Sequence, residues 1–146
     1  MENKQPYESF QKFDLVYADF GKNPNGVEGG VRPAVVVSCD ASNHSGAPQV
    51  SLVPLSTKIK NIPVHVRIRP VDVQGYQLKA VSDFMPENIQ TLPKACVREH
   101  HGCVSKATSM REEIDRALIA QFDLLPTARQ LVLEEINQKT TKKAGK

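Results

Sequence analysis

Short apolar runs, separated by clusters of turn-forming residues, occupy the first two thirds of the chain. Apolar and polar side chains largely alternate over residues 13–20, a continuous apolar run covers residues 34–37, and residues 49–55 are again mostly apolar. Alternation is typical of a strand with one buried face, and a short continuous run is typical of a strand buried on both faces. The patterns therefore predict three strands, at residues 13–20, 31–39 and 49–55.

A fourth strand is predicted at residues 63–70, where apolar residues occupy every second position. The positions between them would form a basic outer face, made of His65, Arg67 and Arg69. Weaker strand patterns cover residues 76–84 and 89–92, and residues 96–105 predict a hairpin that turns at His100-His101-Gly102. Many short strands joined by Gly and Pro turns predict a mainly β fold, a small β-barrel.

Helical patterns are confined to the C-terminal part of the chain. Ser109-Met110-Arg111-Glu112 has the form of a capping box, in which the serine and the glutamate satisfy backbone amides at a helix start. Ile114, Leu118 and Phe122 then recur at helical spacing and predict one core-facing stripe. Leu125-Pro126 predicts the end of this helix, and residues 127–138 predict a second amphipathic helix.

A chain of 146 residues predicts a single domain with one core. We assign a flexible N-terminal extension to residues 1–12, the domain to residues 13–125, an additional helix to residues 126–138 and a basic disordered tail to residues 139–146. No run approaches the roughly 18 apolar residues of a membrane helix, and the polar start lacks a signal-peptide pattern. With three cysteines, the chain is expected to be cytoplasmic, without a disulfide framework or a membrane partner.

Positive charge is concentrated locally rather than over the whole chain. The net charge is +3, and four lysines lie in the last eight residues alone. Between residues 51 and 71, however, the chain has no Asp or Glu and carries Lys58, Lys60, Arg67 and Arg69. Such a patch can bind phosphates on an otherwise nearly neutral protein, although a solvated polar face is the plainer interpretation of any one of these residues.

Arg32 stands where a loop enters a core strand. Residues 21–30 are dense in turn formers, Gly29 and Gly30 permit positive φ, and the apolar run begins directly after Pro33. A guanidinium held at the end of a rigid strand suits a phosphate or a phosphorane-like transition state. The alternative is a surface arginine beside a hairpin turn.

The string E-G-G-V-R-P-A-V-V-V-S at residues 28–38 resembles the MazF/PemK (Kid-like) toxins of bacterial toxin–antitoxin pairs. A further matching landmark precedes the string at residues 16–19, and others follow it in order at residues 53–57, 62–64, 87–92 and the helical segment that ends near residue 125. The resemblance implies a dimeric SH3-like barrel of the CcdB/MazF/PemK type and a sequence-specific endoribonuclease. It also implies single-stranded RNA as substrate and a cognate acidic antitoxin as partner.

By this resemblance, Arg32 matches the family's catalytic arginine, and Ser56, followed by Thr57, stands where the family has its active-site threonine. Glu87 matches an acidic residue with a general-base or structural role in the Kid-like branch. That branch carries an arginine where this chain has Met85, so its mechanism does not transfer whole. RNA contacts are expected from the basic patch and its neighbours, namely Lys58, Lys60, His65, Arg67, Arg69 and Asn88.

Cleavage without a metal would use the RNA 2′-hydroxyl as nucleophile, and no carboxylate cluster of the Mg²⁺-binding type is found. We therefore expect no cofactor and no metal site. Zn²⁺ binding by Cys96, His100, His101 and Cys103 is disfavoured because their spacing is not an established ligand pattern. Two other functions stay open: a CcdB-like poison of DNA gyrase, and a non-catalytic SH3-like binding module.

Overall fold

The structure is a computed structural model that describes residues 10–22 and 29–144. Its strands are β1 (Asp14–Asp19), β2 (Val31–Val36), β3 (Gln49–Ser56), β4 (Val66–Ile68), β5 (Val73–Gln74), β6 (Ser82–Phe84), β7 (Gln90–Pro93) and β8 (Val97–Val104). Its α-helices are α1 (Asp40–Asn43), α2 (Met110–Gln121) and α3 (Leu125–Ala144). Single turns of 3-10 helix precede β5, β7 and β8.

The eight strands form one antiparallel sheet that curls toward a barrel. Its order is β4-β6-β3-β2-β1-β8-β5, and β7 pairs with β3 beside β6. The prediction of a mainly β, barrel-like fold with C-terminal helices is confirmed. No helix in the described ranges is long and apolar enough to cross a membrane.

Two hydrophobic clusters pack against the two faces of the central strands. Leu15, Val35 and Leu55 belong to the first cluster, together with Met110 and Ile114 of α2. The alternate positions of the same strands belong to the second cluster, among them Val16, Ala34, Val36, Val50 and Leu52. Both faces of β1, β2 and β3 are therefore buried over most of their length, which explains the long apolar runs in the sequence.

The N-terminal extension is shorter than predicted. Phe10 is buried in the second cluster, and the Lys12 backbone N–H donates to Asp40 Oδ1 at 2.7 Å. The Lys12 ammonium also pairs with Asp115 of α2 at 2.8 Å. Residues 10–12 therefore belong to the domain, while residues 1–9 of the predicted extension and residues 23–28 of the predicted loop lie outside the described residues.

Two strand predictions are wrong in extent. The predicted strand at 63–70 is reduced to β4 because residues 62–65 form a turn, closed by the His65 N–H donating to the Ile62 carbonyl at 3.0 Å. Within the predicted strand at 76–84, only β6 is a strand. The connection between β2 and β3, which is rich in polar residues, contains the short helix α1.

The predicted hairpin at 96–105 is also wrong, because β8 runs through it as one strand between β1 and β5. Gly102 does not form a turn there. A Cβ at this position would lie 2.1 Å from the Gln74 carbonyl oxygen of the β5 strand. The glycine is needed because the neighbouring backbone approaches closely, rather than because the chain reverses.

The C-terminal helices differ from the prediction in three respects. No capping box forms at Ser109; its hydroxyl donates instead to Glu113 at 2.9 Å. Phe122 is exposed rather than core-facing, and the buried stripe of α2 consists of Met110, Ile114 and Ala117. The residues from 139 to 144, predicted to be a disordered tail, continue α3.

Candidate active site

The predicted site residues are brought together by one row of cross-strand neighbours. Ser56 of β3 lies opposite Asp83 of β6, and Asp83 lies opposite Arg67 of β4 on its other side. Ala34 lies opposite Pro54, and Arg32 and Ser56 are each two residues beyond that pair on their own strands, so strand alternation puts both on the face of the pair. Because paired residues project to the same side of a sheet, these side chains share one face.

Arg32 is positioned by the loop that precedes β2. Its Nε donates to the Gly29 carbonyl oxygen at 2.9 Å. The loop is closed at its base by two backbone bonds, Phe20 N–H to the Gly30 carbonyl (2.9 Å) and Gly30 N–H to the Gly21 carbonyl (2.7 Å), and Gly30 has a φ of 76°. The guanidinium therefore leaves the strand in a direction set by backbone contacts.

Asp19, at the end of β1, supports the same loop base. The Gly21 backbone N–H and the Arg98 guanidinium hold the pKa of the Asp19 carboxyl below its usual range. The bond from Gly21 is 2.8 Å long and the contact with Arg98 is 3.3 Å. Three neighbouring strands thus meet around the start of the loop that carries Arg32.

The two candidate hydroxyls differ in their surroundings. Ser56 is half-buried at the end of β3, and its Oγ accepts a bond from the Lys58 backbone N–H at 3.2 Å. Thr57 follows the strand and is exposed. Because alternate residues of a strand project to opposite faces, Ser56 shares the face of Arg32. Thr57 lies one residue beyond the end of β3 and is not part of this row of side chains.

Glu87 lies in the 3-10 turn Pro86–Asn88, which leads from β6 to β7. Its Oε1 contacts His65 Nε2 at 2.5 Å and accepts a bond from the Asn88 side chain at 3.3 Å. The Glu87 side chain is 31% exposed, so part of the carboxylate is accessible. Asn88 also lies 3.8 Å from the sulfur of Met85, which is buried.

The predicted outward orientation of His65 is wrong. Its side chain is only 3% exposed and lies between two carboxylates, Asp83 at Nδ1 (3.0 Å) and Glu87 at Nε2. His65 ends the turn at residues 62–65, and its ring packs between the two carboxylates instead of facing solvent. Whether it contacts RNA stays a prediction, but its ring is buried whereas Arg67 is exposed.

The four basic residues of the patch are exposed, as predicted. Arg67 donates to Asn61 Oδ1 at 2.9 Å, and Arg69 contacts the buried Asp72 carboxylate through Nε and Nη2. Burial opposes ionisation of Asp72, but hydrogen bonds from the Arg69 side chain and backbone and from Thr108 outweigh it and hold the pKa of Asp72 below its usual range. Arg69 is therefore also a structural residue.

A polar cleft of about 360 Å³ opens beside this row. Its lining includes Lys60, Asn61, His65, Arg67 and Asp83. Sequence reasoning missed Asp83, which is completely buried on β6. The only signal in the sequence was an aspartate between Ser82 and Phe84 at the end of a weak strand pattern, and that signal does not reveal which residues face it.

The Cys and His residues considered for Zn²⁺ have separate partners. His100 pairs with Asp14 at 3.0 Å, whereas the His101 ring lies 4.6 Å from that of Tyr17 and 4.7 Å from that of Tyr76. Cys103 lies 4.0 Å from the Gln74 side-chain oxygen. In the part of the chain that the structure describes, no group of three His, Cys, Asp or Glu side chains is arranged to hold a metal ion.

The comparison with protein families gives a match that covers most of the chain. Residues 11–122 match the family described as PemK-like, MazF-like toxin of type II toxin–antitoxin system. The match includes every candidate site residue and ends one residue after α2. α3 lies beyond it.

Solved structures of similar fold come from the same class of proteins. A mycobacterial endoribonuclease in complex with its cognate antitoxin is 26% identical, with a TM-score of 0.63 over 80% of this chain and 97% of its own. MazF from Deinococcus radiodurans is 19% identical, with a TM-score of 0.62 over 77% of this chain and 96% of its own. The Mycobacterium tuberculosis toxin MazF-mt6 is 18% identical, with a TM-score of 0.60 over 75% and 96%.

Proposed function

Because the chain belongs to the PemK-like, MazF-like toxins of type II toxin–antitoxin systems, we propose that it is a metal-independent endoribonuclease that cleaves single-stranded RNA at a short sequence. The observation that carries this proposal is the shared sheet face of Arg32 and Ser56, next to the cleft that contains Asp83. A fixed cation, a hydroxyl and a nearby carboxylate are the groups that this reaction needs from a protein.

In the proposed reaction, the RNA 2′-oxygen attacks the adjacent phosphorus, and the bond from phosphorus to the 5′-oxygen breaks. Glu87 accepts the proton of the 2′-hydroxyl, and the leaving 5′-oxygen takes up a proton from solvent water. Arg32 stabilises the negative charge of the pentavalent phosphorane, and Ser56 orients a phosphate oxygen. The products are a 2′,3′-cyclic phosphate and a 5′-hydroxyl.

The exposed patch of Lys58, Lys60, Arg67 and Arg69 supports a path for the RNA backbone. Phosphates of a single strand are attracted to such a patch, and Asn88 at the other side of Glu87 is close enough to the site to contact a nucleotide. The active form is proposed to be a cytoplasmic homodimer, in which two copies of the patch extend one RNA-binding surface.

The proposed partner is a cognate antitoxin with an acidic segment that covers the basic patch and folds as it binds. One similar structure is described as an endoribonuclease with its cognate antitoxin, and others as MazE–MazF complexes from Deinococcus radiodurans. Complementary charge makes association fast and sensitive to salt.

The proposal is tested by incubating the purified protein with a long RNA in EDTA and mapping the ends of the products. The expected result is cleavage at a recurring short sequence, with cyclic phosphate and 5′-hydroxyl ends. In cells that express the protein, growth arrest with intact RNA and trapped gyrase–DNA complexes would instead assign the chain to the gyrase poisons. Intact RNA together with harmless expression would leave only the binding module.

A further inference from the structure

Asp83, His65 and Glu87 form a series of three contacting side chains, in which Asp83 and His65 line the cleft and Glu87 lies nearest to solvent. Asp83 Oδ2 contacts His65 Nδ1 at 3.0 Å, and His65 Nε2 contacts Glu87 Oε1. Exposure rises along the series, from 1% for Asp83 and 3% for His65 to 31% for Glu87. The carboxylate nearest the surface is therefore held by an imidazole that solvent hardly reaches.

The two contacts limit where protons can lie among Asp83, His65 and Glu87. Each nitrogen–oxygen contact requires one proton between its two atoms. This condition is met either by an imidazolium between two carboxylates or by a neutral imidazole between one carboxylate and one carboxylic acid. In both arrangements the two contacts use one oxygen of each carboxyl group and leave the other oxygen outside them.

Two oxygens lie outside those contacts. Glu87 uses Oε1 for both His65 and Asn88, which leaves its Oε2 without a hydrogen bond from the described residues. Asp83 Oδ1 is buried and has no hydrogen-bond partner in the described part of the chain. Its Oδ2 accepts from both His65 and the Lys60 backbone N–H, at 2.7 Å for the latter.

A buried carboxylate with one unsatisfied oxygen is costly for stability. An apolar residue on β6 would fill the same interior without that cost. Asp83 lies opposite Ser56 in the sheet, so the costly group sits between the candidate hydroxyl and the candidate base. A position of this kind is typical of a residue retained for the chemistry of a site.

We propose that His65 and Asp83 are positioning residues that hold Glu87 as the general base of the reaction. The inference rests on the proposed ribonuclease function. Asp83 fixes the imidazole ring, the ring fixes Glu87 Oε1, and Glu87 Oε2 accepts the proton from the RNA 2′-hydroxyl. The other charged groups around the cleft are Lys60, Arg67 and Glu113, which lie on separate elements.

This role differs from the RNA contact that the sequence alone predicts for His65. A residue that contacts RNA affects mainly substrate binding, and its loss raises KM. A residue that positions the base affects the chemical step, and its loss lowers kcat. The two roles are therefore separable by steady-state kinetics.

The test uses two substitutions, each of which keeps a nitrogen at only one of the two hydrogen-bonding positions of the imidazole. In His65→Asn, the side-chain amide nitrogen can replace Nδ1 and keep the contact with Asp83, while the link to Glu87 is lost. In His65→Gln, the amide nitrogen can replace Nε2 and keep the contact with Glu87, while the link to Asp83 is lost. Both variants should lower kcat by about 10- to 100-fold through misplacement of the base, with little change in KM.

Glu87→Gln completes the kinetic test, because groups that act as one unit are not additive. The double variant of His65→Asn and Glu87→Gln should be no slower than Glu87→Gln alone. The control is His100→Asn, whose shorter amide cannot replace Nε2; it removes another histidine–aspartate contact, that with Asp14, and should keep wild-type kcat. A thermal unfolding curve for each variant separates lost activity from lost fold.

A second readout does not depend on RNA. The N–H proton between His65 and Asp83 should give a downfield proton NMR signal in the free protein, absent in His65→Gln and in Asp83→Asn. If Asp83→Asn fails to fold, the two His65 variants still decide the question. Unchanged kcat in both folded His65 variants, or a raised KM with unchanged kcat, would overturn the inference.

Failure of the inference and failure of the proposed function give different results. If wild-type protein cleaves RNA and both His65 variants keep its kcat, the positioning role is wrong and the ribonuclease function stands. If wild-type protein cleaves no RNA, both proposals are wrong, even if the NMR signal shows that Asp83 and His65 are in contact.

Discussion

Single residues of the candidate site differ in how far the sequence reveals them. Arg32 could be chosen from the sequence because it stands where a loop enters a core strand, a position that local patterns locate well, whereas Ser56, with Thr57, was chosen by the family resemblance. Asp83 could not be chosen, because its contact with His65 depends on the pairing of β4 with β6, which no local pattern encodes. The orientation of His65 was missed for the same reason.

Ser56 and Thr57 are distinguished by their placement, and this gives the first prediction. Ser56→Ala should lower kcat by about 10²-fold, the order expected for loss of one preorganised polar group. Thr57→Ala should leave kcat close to wild type because the exposed side chain lies outside the row. Cleavage rates of a fluorescent RNA under single-turnover conditions measure both, and the opposite ranking would make Thr57 the active hydroxyl.

The buried Asp72 gives a prediction about stability and pH. Its pKa is lowered in the folded state, so its ionised form stabilises the fold at neutral pH. This contribution is present above the ordinary aspartate pKa of about 3.9 and is lost as pH falls through the lower folded value. Asp72→Asn should therefore reduce the free energy of unfolding by about 1–3 kcal/mol at pH 7, with a smaller difference in acid.

Urea unfolding at pH 7 and at low pH measures this difference. Asp123→Asn is a suitable control, since Asp123 is exposed after α2. An Asp72→Asn deficit that stays constant across the pH range would show that ionisation of Asp72 does not contribute.

Elements were predicted well where both faces of a strand are buried and poorly where tertiary contacts set their ends. β1, β2 and β3 follow from apolar runs. β4 is shortened by a turn at residues 62–65, whose sequence still alternates like that of a strand. α3 extends through the C-terminal lysines because lysine is a good helix former once a helix has begun. The exposed apolar side chains of α3, such as Leu131 and Val132, were predicted as an amphipathic face, but they cover no core.

Gly102 provides a test of the pairing between β5 and β8. Gly102→Ala should destabilise the protein by at least about 1–3 kcal/mol, because φ is 139° and the new Cβ would overlap the Gln74 carbonyl. Gly46→Ala is the matched control, since no atom lies within 4 Å of the position that its Cβ would take, and its effect should stay within about 0.5 kcal/mol. Equal unfolding midpoints for the two variants would contradict the close approach of the strands.

Over the molecule as a whole, the curled sheet gathers side chains from β2, β3, β4 and β6 into one row beside a basic surface. Composition alone did not predict such a surface, because the net charge of +3 is small and the lysines of α3 contribute to it. The charge of one segment did predict the basic surface, since residues 51–71 carry four Lys and Arg residues and no acidic side chain.

The basic surface gives a prediction about salt. If Lys58 and Lys60 each contact one phosphate of a single strand, replacing both by alanine should reduce the slope of log K against log salt by about 1.4. Replacing Lys139 and Lys142 of α3, which lies beyond the family match, should leave the slope unchanged. Fluorescence anisotropy of a catalytically inactive variant with labelled RNA measures both slopes, and an equal effect of the two pairs would mean that RNA follows another path.

Arg32 is proposed to stabilise the transition state of RNA cleavage, and comparing Arg32→Ala with the wild-type protein on one RNA in EDTA tests this role most directly. We expect kcat to fall by about 10²–10³-fold while the position of cleavage stays the same. Arg129→Ala, on the exposed surface of α3, should cleave at the wild-type rate. Wild-type activity in Arg32→Ala would show that the guanidinium does not stabilise the transition state.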